Sequence, residues 1–140
     1  VGRGSRRVNA LAEEVAAIHE GRGHPASVVG EFRRTAVLVP LDERGGLWTT
    51  IHDDVSWIHA FTDEAALARF ALARGAGDMD WSYVTVLGAR LLDVVVPGVG
   101  ETAGVALDVG SDTPFFLPPV VGVVPDAAAV NAGHNEEGAP

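Results

Sequence analysis

Apolar positions change their spacing several times along this chain, and each change marks an element. Leu11, Val15 and Ile18 recur at helical spacing behind Asn9, a residue suited to cap a helix, and Gly21 stands where a left-handed residue ends one. Pro25 fits the first turn of a short second helix that places Val28 and Phe32 on one face. The run TAVLVP, residues 35–40, is apolar, β-branched and stopped by proline, which predicts a central strand buried on both faces. LDERGG is a turn, LWTTIH a second strand, DD a tight turn and VSWIHAF a third strand, so short connections predict an antiparallel meander.

The third strand sends Val55, Trp57, His59 and Phe61 to one face. Thr62 then stands where a helix cap belongs, Asp63 and Glu64 fill the first turn near the positive end of the helix dipole, and Gly75 closes the helix. A loop, GAGDMDW, leads to a fourth strand, SYVTVL. GARLLDVVV reads as a short helix ended by Pro97, although three consecutive valines disfavour its second half. GVALDVG and TPFFLPP form a closing hairpin. These elements predict an α/β (α+β) fold: a single compact domain with a mixed, largely antiparallel sheet of about five or six strands and helices packed against it. Residues 1–8 read as a flexible, arginine-containing tail, 9–124 as the domain, and 125–140, poor in apolar residues, as a mobile tail.

Four landmarks occur in order: VLVPL (37–41), WIHAFTDEAAL (57–67), VLGARLLD (86–93) and GVALDVGSDTPFFLPP (104–119). In that order they resemble the SseB-type (enhanced serine sensitivity) N-terminal domain family over about residues 30 to 119. The resemblance implies a compact bacterial α/β domain and brings no established catalytic residues. VVGVVPDAAAV follows where a second domain begins in some relatives, so no counterpart of that domain is expected.

Composition narrows the chemistry. With 47% hydrophobic and 21% charged residues, the 140-residue chain has a globular composition, and the lack of cysteine removes disulfides, thiolate ligands and thiol nucleophiles. A net charge of −9 opposes binding to a nucleic-acid backbone, and Arg3, Arg6 and Arg7 beside terminal glycines form no segregated basic face. Every basic residue is arginine, a bias of the kind high-GC bacterial genomes show. No run reaches the ~20 apolar residues of a membrane span, and the absence of a signal-peptide pattern leads to a cytoplasmic expectation.

Reactive constellations are sparse. Ser5, Ser27, Ser56, Ser82 and Ser111 sit in no nucleophile elbow, while Asp42, Glu43, Asp108 and Asp112 fall in turns. In PGVGETAG the glycines follow a helix and precede a strand, the reverse of a phosphate-binding loop. One metal-like set exists, His52, Asp53, Asp54 and His59, whose imidazoles and carboxylates have the right ligand types; a turn plus a satisfied half-buried histidine is the simpler assignment. Trp48, on the strand face that carries Thr50 and His52, and Trp81, in a loop, are candidates for an exposed interface. A small-ligand pocket beside Trp57 and Tyr83 is a further possibility. The expectation is a non-catalytic interaction or regulatory module without cofactor, binding a protein partner or a second copy of itself, with a His/Asp metal protein as the alternative.

Overall fold

Two face-specific apolar sets decide how the sheet is covered. On the third strand Ile58 and Ala60 point one way, and His59 and Phe61 the other; all four are buried, so both faces need helices. The computed structural model describes residues 3–75 and 81–131. Helices α1 (Arg3–His19) and α2 (Pro25–Arg33) precede strands β1 (Ala36–Pro40), β2 (Thr49–His52) and β3 (Val55–Ala60), then α3 (Glu64–Ala73) and β4 (Tyr83–Leu87). A helical stretch over 88–98 follows, built from α4 (Gly88–Arg90), a π turn (Leu91–Val95) and α5 (Val96–Gly98). Strands β5 (Ala103–Leu107) and β6 (Phe115–Leu117) and a 3-10 turn (Asp126–Ala128) complete the described chain.

The strands form a β1–β4 pair and a β2–β3–β5–β6 sheet, joined where Leu38 and Phe61 exchange backbone hydrogen bonds. The β2–β3 and β5–β6 pairings are antiparallel as expected, but β1 pairs antiparallel with β4 instead of β2, and β3 and β5 run parallel, Ser56 opposite Ala103 through Ala60 opposite Leu107. The expected three-strand meander is therefore reduced to the β2–β3 hairpin. A parallel neighbour needs a crossover, which α3, β4 and the 88–98 stretch provide.

On one face, Leu11 and Val15 of α1, Val28 and Phe32 of α2, and Leu91, Leu92 and Val96 pack on Val37, Val39, Ile58, Ala60, Val105 and Leu107. On the other, Leu67 and Phe70 of α3 pack on Phe61, with Leu38, Trp48, Trp81 and Val109 around them. The strand buried along its whole length is β5, not 35–40: Ala36 is exposed and Leu38 half-buried in β1, because α3 covers only part of that side.

Local chemistry corrects several boundaries. Helix α1 begins at Arg3 instead of being capped at Asn9; arginine is a good helix former and a single internal asparagine costs little. Gly21 ends it at φ +80°, as its position predicts. Asp63, not Thr62, caps α3, its Oδ1 accepting from the Ala66 amide at 2.8 Å. Thr62 is diverted: its amide and hydroxyl both donate to the Asp108 carboxylate, at 2.9 and 3.0 Å, tying the start of α3 to the end of β5. Pro97 does not terminate the helical stretch. The Val96 amide donates to Leu91 five residues back, and this widened turn lets the chain run on through Pro97 to Gly98. Residues 125–131 are folded, not a free tail: the Val130 amide donates to Pro119 O at 2.7 Å, the Val121 amide donates to Asn131 Oδ1 at 2.8 Å, and Ala128 and Ala129 pack against the main core. The rest of the expected C-terminal tail, and most of the loop before Trp81, lie outside the described residues.

Candidate functional site

The exposed rim of the smaller core brings residues from four places together. Trp48 leads into β2, His59 projects from β3, Phe70 and Arg74 come from α3 and its C-cap, and Trp81 precedes β4. The Trp48 ring meets His59 edge-on at 5.2 Å between centroids, Phe70 at 5.3 Å and Trp81 at 6.0 Å. Arg74 lies over Trp48 with its guanidinium carbon 4.6 Å from the ring centroid, a cation–π geometry. Both tryptophans are half-buried, so each presents part of its indole to solvent. The proximity of Arg74 to Phe70, one helical turn earlier, was the available sequence signal for the cation's place in this group.

His59 sits beneath the rim, 5% exposed. Its Nε2 lies 2.9 Å from Thr50 Oγ1, and its buried Nδ1 has no hydrogen-bond partner among the described residues. Burial, with Arg74 nearby, lowers its pKa from 6.5 to about 4, so the imidazole is neutral at pH 7. A neutral ring is what burial beside the Arg74 guanidinium favours. The sequence candidates Trp48, Trp81 and Thr50 thus stand around one buried histidine.

The metal-like set is not assembled. His52 is opposite Val55 at the hairpin end, whereas the His59 amide donates to Trp48 O at the other end of the same strand pair. Asp53 and Asp54 have φ of 51° and 64° and form the turn itself; His52 Nε2 contacts only Asp53 of that set, at 3.3 Å, with both side chains open to solvent. Among the described residues no group of three or more His, Cys, Asp or Glu side chains is placed to hold a metal ion. The Trp57–Tyr83 pocket is not formed either: Trp57 packs on Phe116 at 5.5 Å and against the bare Cα of Gly104, while Tyr83 lies opposite Pro40 in the other strand pair.

Other polar groups outside this rim are engaged in turns or with one another. Asp42 Oδ1 accepts from the amides of Arg44 and Gly46 in the β1–β2 turn, and the Ser56 hydroxyl donates to Glu101 at 2.5 Å. Burial raises the Asp108 pKa despite its two bonds from Thr62.

The order of structural landmarks along the chain is matched by a family profile: the SseB protein N-terminal domain covers residues 9–121. The chain belongs to the SseB N-terminal domain family. The SseB domain here thus includes the greater part of α1 and all of α2, a longer span than the landmark motifs alone indicate. No curated protein and no solved structure matches the chain. Among the described residues, no helix of this SseB domain is long and apolar enough to cross a membrane.

Proposed function

We propose that this SseB domain is a non-catalytic interaction module, acting in the cytoplasm on a protein partner through a surface centred on Trp48, Trp81 and Thr50. The observation that carries the proposal is the pair of half-buried tryptophans with Arg74 over Trp48, three side chains of the types that dominate binding energy at protein interfaces. Support also comes from the employment of the acids: Asp42, Asp63 and Asp108 spend their carboxylates on turns and caps. The chain's charge of −9 favours a partner with a basic contact surface over nucleic acid.

Trp48 also supports His59 and Phe70, so its removal would mix binding with folding. The test therefore uses Trp81→Ala and Arg74→Glu. The protein that copurifies with the untagged wild type is identified by mass spectrometry, and its affinity for each variant is measured. The expected result is at least about tenfold weaker binding, equivalent to ~1.4 kcal/mol, with unchanged circular dichroism. Equal affinity of wild type and both folded variants would remove this surface from consideration.

A further inference from the structure

Strand β4 pairs with β1 on one side, and among the described residues nothing pairs with it on the other. The parity of its backbone groups follows from two bonds at its ends: the Gly88 amide donates to Thr35 O, and the Leu41 amide donates to Ser82 O, both at 2.8 Å. Even-numbered residues of the strand therefore turn their amides and carbonyls toward β1, and Tyr83, Thr85 and Leu87 turn theirs outward. Natural sheets guard such an edge with lysine, proline, a bulge or an inward charge. Here residues 81–88, WSYVTVLG, contain no charge and no proline, and the β1–β4 register runs without a bulge from Ala36–Leu87 to Pro40–Tyr83. Val84 is 38% exposed and Leu87 48%.

The strand is also nearly symmetric about its middle residue. Reading outward from Thr85, valine stands on both sides, then Tyr83 and Leu87. A two-fold axis through Thr85 would set Thr85 against its own copy, Val84 against Val86 of the second copy, and Tyr83 against Leu87. In that register every outward amide and carbonyl of the strand meets a partner, and each side-chain pair is of a kind that stabilises antiparallel strands. No other antiparallel register of β4 on itself uses all the outward groups. Two copies of a chain with net charge −9 repel, so a second copy is best received along an uncharged strip. Glu64, the acidic neighbour of Tyr83, stands at one end of the strand, and the antiparallel arrangement keeps the two copies of it at opposite ends.

We propose that two copies of this chain associate through β4, antiparallel about a dyad at Thr85, joining their β1–β4 pairs into one continuous four-stranded ribbon. This interface is separate from the tryptophan surface and does not depend on it. Five residues per copy bury less area than a standard stable interface, so the dimer is weak, with dissociation in the micromolar range or above.

Sedimentation equilibrium of the full chain from about 1 µM to 1 mM reads the association directly. The wild type is expected to be a reversible dimer. Thr85→Lys and Thr85→Glu, which each set like charges face to face on the dyad, are expected to weaken it at least tenfold while keeping the wild-type circular dichroism. An equimolar mixture of the two variants is expected to dimerise again, because only a residue on the dyad faces its own position in the partner. A third variant, Thr85→Cys, introduces the single thiol of a cysteine-free chain, and a short bis-maleimide is expected to cross-link it into a covalent dimer. A wild type that stays monomeric throughout, including one whose edge is filled by a different protein, overturns the proposal. So does a dimer that both charged variants leave intact, or a mixture that fails to restore association together with a thiol variant that does not cross-link.

Discussion

The hydroxyl of Thr50 meets Nε2 of His59 at 2.9 Å, and this is the one hydrogen bond found for an imidazole whose other nitrogen is buried without a partner among the described residues. Replacing Thr50 with valine keeps the shape of the side chain and removes the bond. The expected cost is about 1–2 kcal/mol, the lower part of the range for a buried polar group that loses its partner, since Thr50 is half-exposed and water reaches it. A urea titration checks this as a lower midpoint at unchanged slope.

Acid should act on the fold through the same ring. His59 titrates near 4 in the folded chain and near 6.5 when unfolded, so between those values the unfolded state binds a proton that the folded state does not. Stability is therefore complete above about pH 6.5 and falls as the pH drops toward 4, by roughly 3 kcal/mol from this group. Asp108 works in the opposite direction, because burial raises its folded pKa and makes protonation easier in the native state. The comparison of wild type with His59→Phe separates the two: the variant should lose most of the decline between pH 6.5 and 4. An equally steep decline in both proteins would assign it elsewhere.

The β2–β3 turn carries avoidable strain. Asp53 and Asp54 both adopt positive φ, the conformation a two-residue hairpin turn prefers, yet neither is glycine and two carboxylates stand side by side. Asp54→Gly should raise stability by roughly 0.5–1 kcal/mol, as in the Asp-Gly turns this geometry favours. Thermal melting is the check, and an unchanged or lower midpoint would contradict it.

Gly88 should be intolerant in the opposite sense. A Cβ there would collide with the backbone carbonyl of Phe32, a group fixed at the end of α2 and unable to rotate away. Gly88→Ala is expected to cost more than 3 kcal/mol, or to leave the chain insoluble, because the junction of β4 with the following helix would have to separate from α2. Gly98→Ala, where a Cβ meets nothing within 4 Å, is the matched control and should be close to neutral.

The elements with a single strong period were legible without coordinates. Leu11 and Val15, Val28 and Phe32, and the alternation through β3 each fixed an element and its buried face, because one dominant contact surface selects them. What escaped depended on partners distant in the chain. Thr62 has the chemistry of a cap, but Asp108, 46 residues away, takes both of its donors, leaving the cap to Asp63. The parallel pairing of β3 with β5 leaves no mark in either strand's own pattern. The binding candidates Trp48, Trp81 and Thr50 stand out in the sequence by residue type alone; their convergence on His59 follows from β2–β3 register and the placement of α3, which spacing does not encode. The metal-like set failed for the same reason. Nearness in sequence put His52 and His59 together, and the hairpin put them at its two ends.

The widened turn at Leu91–Val95 acts as a phase adjuster. In a uniform α-helix, residues five apart point well away from one another, yet Leu91 and Val96 both reach the same core. The extra residue rotates the downstream end of the helix so that Val96 points inward, and it does so without lengthening the path from β4 to β5. Straightening this turn to α pitch at the same length would swing Val96 by roughly 100° toward water, whereas deleting one residue between Leu91 and Val96 would leave the two four apart and still on one face. A single deletion here would thus leave the inward face in phase, while a further insertion would turn everything downstream of it.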